Sequence, residues 1–209
     1  MIRVCVLISG GGTNLQALLD QKAAGFLPEA EFALVVSNRK KAYGLERAKA
    51  AGVKTAYLPT VRFDSNEAYN EALRDLLLEE KIDLVVLAGF LVVLGAPMVE
   101  AFKNRIINIH PSLIPSFCGD GFYGLKVHEQ ALKRGVKVTG ATVHFVDSGT
   151  DTGPIILQKA VDILPDDTPE SLQLRVMQQA EWKLLPEAVK LFSEGRLHVK
   201  DQVVQVDRS

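Results

Sequence analysis

Asn108-Ile109-His110-Pro111-Ser112-Leu113-Ile114-Pro115 is a stretch whose residue types could do chemistry at that spacing. On a strand, side chains two apart share a face. Asn108 and His110 then point one way, while Ile107 and Ile109 point the other. An amide can donate to a developing oxyanion, and an imidazole can move a proton near neutral pH. Pro111 biases His110 toward an extended backbone, and Pro115 does the same to Ile114. The plainer alternative is a surface histidine at a strand exit. The asparagine on the same face and the two prolines weigh against it.

Asp147-Ser148-Gly149-Thr150-Asp151-Thr152-Gly153-Pro154 forms a second polar stretch. It follows a strand that carries Thr142, His144 and Val146 on one face. An acid in a loop is ordinarily just solvated. If Asp151 reaches His110, its charge favours the imidazolium. His144 could serve a site, but a hydrogen-bonded core position is the better expectation. His128 and His198 read as helix and surface residues. Four scattered histidines, none at ligand spacing from acids or cysteines, predict no metal site.

Ser9-Gly10-Gly11-Gly12-Thr13-Asn14 joins a strand to a helix. Glycines let the backbone turn sharply there, and amides at the helix start would face an anion. A simple turn is the alternative. Asn14 and Leu15 stand where a dinucleotide site would want a third glycine, and Ser37-Asn38-Arg39 offers no acid to a ribose hydroxyl. There is no Gly-Lys-Ser/Thr either. A site for a single phosphate remains.

The elements that must hold these stretches alternate from the start. Strands are expected at Arg3–Ile8, Phe32–Val36, Lys54–Leu58, Leu84–Ala88 and Arg105–Ile109. Helices fall between them at Asn14 to about Lys22, Tyr43–Ala51 and Asn66–Glu80. Continuous apolar strands suit a parallel sheet buried on both faces. After a glycine- and aromatic-rich loop at Gly119–Gly124 comes a helix at Val127–Arg134. A strand pair follows at Val138–Val146 and Ile155–Ala160. A last helix runs from Thr168 to about Leu185, with Pro186 beginning or kinking a further segment. The fold class is α/β: an open, mostly parallel twisted sheet with helices on both faces and a Rossmann-like N-terminal half. Residues 1–209 are expected to form a single domain.

Bulk composition narrows the function. A net charge of −1 gives no field to draw in nucleic acid. No apolar run reaches the ~20 residues needed to span a bilayer, and the N-terminus lacks the form of a signal peptide. The two cysteines, Cys5 and Cys118, make no disulfide framework. A cytoplasmic setting and small-molecule partners, without nucleic acid or membrane, are the expectation; oligomeric state is not specified.

Ser9-Gly-Gly-Gly-Thr-Asn-Leu-Gln16, Leu87-Ala-Gly-Phe90, the 108–115 stretch and Asp151-Thr-Gly-Pro-Ile-Ile156 occur in one order along nearly the whole chain. Together they resemble the glycinamide ribonucleotide formyltransferases, members of the folate-dependent formyltransferase family. The resemblance implies transfer of a formyl group from 10-formyltetrahydrofolate, a co-substrate, to the amine of 5'-phosphoribosylglycinamide in purine synthesis. It further implies that Gly12, Thr13 and Asn14 hold the substrate phosphate and that Glu181 contacts the ribonucleotide. Asn108 would donate to the formyl oxygen, His110 would act as general acid/base, and Asp151 would tune it. Leu91, Val92, Val93 and Leu94, with the 147–151 loop and Asn66, would belong to the folate site. Asn66 and Val92 depart from the arginines often found in the family, and the 117–124 loop is longer than its usual turn. A methionyl-tRNA enzyme would be expected to add an RNA-binding domain, and a formyl hydrolase an N-terminal regulatory one. A non-catalytic sensor would not need the acid/base pair.

Overall fold

The computed structural model describes residues 1–207. Its centre is a seven-stranded sheet in the order β3-β2-β1-β4-β5-β6-β7. Strand β1 (Ile2–Ile8) lies between β2 (Ala30–Ser37) and β4 (Leu84–Leu87), with β3 (Lys54–Tyr57) beyond β2. β5 (Ile106–His110) continues the parallel set on the other side. From Val4 to Ile8 every β1 side chain is fully buried, because helices cover both faces. Val4, Val6 and Ile8 pack into one core, whereas Cys5 and Leu7 pack into the other. This is the period-two split that a pleated strand imposes.

The first core takes α1 (Thr13–Ala23) through Leu15, Leu18 and Leu19, and α2 (Tyr43–Ala50) through Leu45 and Ala48. The second takes α3 (Asn66–Glu79) through Tyr69, Leu73 and Leu77, and α4 (Ala96–Ala101) through Met98. Ser65 caps α3 by accepting from the Ala68 amide at 3.0 Å. After β3 the chain returns to the far side of β1 as β4. The strand order therefore reverses between β1 and β4, and a crevice opens at their carboxyl ends.

β6 (Val138–Phe145) and β7 (Ile155–Asp162) close the sheet as an antiparallel pair, as their sequence predicts. β6 also runs antiparallel to β5, with Asn108 opposite His144 and His110 opposite Thr142. The helix before this pair, α5, runs Leu125–Arg134.

The expected last helix is divided. α6 (Pro169–Val176) starts at a reciprocal box in which Thr168 and Ser171 cap each other's amides. A π turn at Met177–Glu181 follows, and α7 runs Trp182–Ser193 with Pro186 inside it rather than at its start. A two-stranded hairpin, β8 (Leu197–Lys200) with β9 (Val203–Val206), was not anticipated. Among the described residues, no helix is long and apolar enough to cross a membrane.

Candidate active site

A cleft of about 860 Å³ opens at the carboxyl ends of β1, β4 and β5. Gly10 to Asn14 line one end and Ala88 to Leu94 one wall. Asn108, His110, His144 and Asp151 line its floor, and the Gly119–Gly124 loop forms part of its rim.

Asp151 organises the floor. Its Oδ2 accepts from the Gly119 amide at 3.0 Å and lies 3.4 Å from His110 Nδ1. Its Oδ1 accepts from Asn108 Nδ2 at 3.4 Å and lies 3.5 Å from His144 Nε2. Burial pushes the carboxyl up, but the two histidines and the Gly119 amide outweigh it and hold Asp151 below its ordinary value. Asp151 and Phe117 both have positive φ, at 58° and 51°. Non-glycine residues resist that conformation, and functional sites collect such residues.

Both nitrogens of His110 face acceptors. Nε2 lies 2.9 Å from the Phe117 carbonyl, and Nδ1 faces Asp151. An imidazolium would satisfy both, while a neutral ring satisfies one. The ring is 4% exposed, and its burial pushes the pKa down. Asp151 and the Phe117 carbonyl oppose that push without cancelling it, so His110 sits below its ordinary value. Asp151 reaches His110 and favours the imidazolium, as the sequence reading expects of such a contact, but desolvation is larger.

His144 is buried and hydrogen-bonded, the favoured sequence reading, and it also lines the cleft. Its Nδ1 lies 2.8 Å from the Phe145 carbonyl, and its Nε2 lies 3.1 Å from Asn108 Nδ2 and 3.5 Å from Asp151 Oδ1. Thr142, two residues earlier, donates to the Ser112 carbonyl and receives the Ile114 amide, bracing the turn after His110. His128 lies on helix α5, as read from sequence, and is fully buried there; both ring nitrogens lack partners, and burial pushes it down to about 4. His198 is exposed as expected and pairs with Asp207 at 2.8 Å.

At the glycine loop, Gly12 has φ 71° and immediately precedes α1. A Cβ there would lie 2.7 Å from Gly44 Cα, so α2 packs directly on the loop. Asn14 Nδ2 donates to Glu181 Oε2 at 2.7 Å, while Asn14 Oδ1 has no partner. Glu181, turned inward on the π turn, lines the cleft; burial raises its carboxyl to about 7, although the Asn14 bond opposes this.

Leu91, Val92, Val93 and Leu94 all line the cleft. Asn66 does not. It stands behind this wall, and its Nδ2 donates to the Val93 carbonyl at 3.2 Å. Buried Asn70 completes the support, donating to Asn66 Oδ1 at 2.8 Å and accepting from the Gly95 amide at 2.9 Å. Sequence reasoning missed Asn70 and Ser9. The Ser9 hydroxyl donates to Asn38 Oδ1 at 2.7 Å and receives the Leu91 amide at 2.9 Å, joining three strand ends. Among the described residues, no group of three or more His, Cys, Asp or Glu side chains could hold a metal ion.

An open α/β sheet that presents an amide and a buried imidazole–carboxylate pair at its switch crevice defines an enzyme of acid/base group transfer. The sequence model of the formyl transferase family matches residues 2–189. Phosphoribosylglycinamide formyltransferase of Haemophilus influenzae is 40% identical over 207 residues, covering 99% of this chain and 94% of that protein. The crystal structure of glycinamide ribonucleotide transformylase 1 from Symbiobacterium toebii superposes with a TM-score of 0.93 at 48% identity, covering 99% of this chain and 94% of that one. A formyltetrahydrofolate deformylase from Pseudomonas syringae pv. tomato has a TM-score of 0.87 at 28% identity, covering 99% of this chain but 66% of its own. The chain belongs to the formyl transferase family, among its phosphoribosylglycinamide formyltransferases.

Proposed function

We propose that the protein transfers a formyl group directly from 10-formyltetrahydrofolate to the amine of 5'-phosphoribosylglycinamide in purine synthesis. The observation that carries this reading is the meeting of Asn108, His110 and Asp151 within 3.5 Å at the end of a cleft that begins at the glycine loop. Similarity favours the ribonucleotide as acceptor over water, since identity falls from 48% to 28% between the transformylase and the deformylase. The reaction is placed in the cytoplasm, where the two free cysteines stay reduced, and is carried by a single domain over residues 1–209.

The substrate phosphate is assigned to the amides of Gly12, Thr13 and Asn14, where the α1 dipole favours an anion. Glu181 and the unpartnered Asn14 Oδ1 supply acceptors for donors on the ribonucleotide. The folate donor fits the wall from Leu91 to Leu94. That wall is apolar and ends at the polar 147–151 loop, as a flat heteroaromatic with polar edges requires.

The attacking amine adds to the formyl carbon, giving a tetrahedral oxyanion. Asn108 is the donor to that oxygen. Losing one such donor typically lowers the rate ~10²–10³-fold. His110, held neutral by burial, accepts the proton that the amine sheds. The resulting imidazolium satisfies both Asp151 and the Phe117 carbonyl, and it then protonates the departing folate nitrogen. This shuttling contributes typically ~10²–10⁴-fold. No covalent enzyme intermediate is required. The test is a formyl-transfer assay with glycinamide ribonucleotide and with water as acceptors. Formate release without formylation of the ribonucleotide would overturn the proposal.

A further inference from the structure

The cleft is rich in acid. Asp120, Asp147, Asp151 and Glu181 line it, and Arg39 is the one Lys or Arg side chain among the described residues that does. A phosphomonoester carries nearly two negative charges, and neutral backbone amides alone do not balance it against such a lining. Arg39 lies two residues past the end of β2, whose last residue, Ser37, pairs with Ile8 just before the glycine loop, and it lines the cleft with that loop.

Its backbone is held in place. The Ser37 hydroxyl and the Arg39 main chain bond across a tight turn at 3.1 Å, and neighbouring Asn38 accepts from Ser9, the residue before Gly10. The guanidinium itself is uncommitted, with no ion pair and no side-chain hydrogen bond among the described residues. Lys40 and Lys41, next along the chain, do not line the cleft, and Arg47, which bonds the loop itself, is spent. Its Nε donates to the Gly11 carbonyl at 2.9 Å and its Nη1 to Gln16 at 3.0 Å, and the group lies over the Tyr43 ring. Arg47 also does not line the cleft.

We infer that Arg39 is the cationic partner of the substrate's phosphate, closing over the dianion that the glycine-loop amides hold from the other side. This rests on the proposed phosphoribosylglycinamide reading of the site. An arginine fork matches phosphate oxygens in a way a point charge does not. The role is in binding, so it acts on the ribonucleotide and leaves the reacting atoms alone.

The test measures glycinamide ribonucleotide binding by calorimetry without folate, together with steady-state constants for both substrates. Wild type, Arg39→Met and Arg39→Lys are compared at low and high salt. Arg39 is exposed, so neither change disturbs the core. Arg39→Met is expected to weaken ribonucleotide binding about 10-fold or more and to flatten its salt dependence. The folate constant and the saturated rate stay as in wild type, and Arg39→Lys recovers part of the affinity. Unchanged ribonucleotide affinity in an active Arg39→Met enzyme overturns the inference. A loss confined to the folate constant does so too, placing Arg39 on the folate's glutamate carboxylates. Failure of the wild type to bind or formylate the ribonucleotide would instead remove the functional reading beneath it.

Discussion

His110 Nδ1 lies 3.4 Å from Asp151 Oδ2, yet the imidazole sits below its ordinary pKa because burial outweighs the facing carboxylate. The pair is therefore built to receive a proton during the reaction rather than to hold one beforehand.

The pH profile follows from that balance. Activity needs neutral His110, so the acid limb of kcat/KM is expected below the ordinary histidine value of 6.5. Asp151→Asn removes a group that raises His110 and should move this limb to still lower pH while reducing turnover. His110→Ala should lower kcat by ~10²–10⁴-fold with little change in ribonucleotide affinity. An Asp151→Asn profile shifted to higher pH would contradict the assignment.

Glu181 couples the cleft to stability. Its carboxyl is raised from 4.5 to about 7, so the folded protein favours the protonated form. The stability this provides is complete below the unfolded value and is lost as pH rises through about 7. Glu181→Gln should remove that slope and leave the protein more stable than wild type at pH ~8, by on the order of 1–3 kcal/mol. Denaturant unfolding of both proteins across this range is the measurement.

The glycines of the loop before α1 should separate in their effect on stability. Gly12→Val places a branched side chain at φ 71° and against Gly44 Cα. A loss of roughly 2–5 kcal/mol is expected from strain and overpacking together. A Cβ on Gly11 meets nothing within 4 Å, so Gly11→Ala should melt with wild type. Equal melting temperatures for the two variants would refute this account of the loop.

Asn70 holds the Leu91–Leu94 wall, proposed above for the folate, from behind without lining the cleft. Asn70→Ala should destabilise the protein by ~1–3 kcal/mol, since it removes the acceptor of the part-buried Gly95 amide and one of the two donors to the Val93 carbonyl. It should also raise the folate KM while leaving kcat at saturation near wild type. A fall in kcat with an unchanged folate KM would show that the wall does not depend on this support.

Local pattern made much of this legible. The apolar runs of β1 and β4 follow from burial on both sheet faces, and the shared face of Asn108 and His110 from a period of two; the structure keeps both. Sequence left the place of His144 open, because its neighbour Asn108 is 36 residues away and only the β5–β6 ladder puts them opposite each other. Desolvation of His110 likewise depends on atoms from several elements, whereas sequence showed only the possible Asp151 charge. The inward turn of Glu181 rests on the π turn, for which composition carries no signature. The β8–β9 alternation was present in the sequence and went unread.

The pairing of β5 with β6 has a kinetic consequence. Asn108 meets His144 through that ladder, and the loop leaving β6 carries Asp151 back to His110. Side chains change face with every residue, so a slip of one position would turn His144 away from Asn108. Refolding chains should therefore regain helix signal before activity, because the distant antiparallel strands must first zip in register. Formyl transfer would then report on the completion of this long-range step, and a variant that slows the ladder would delay the return of catalysis without lowering its final level.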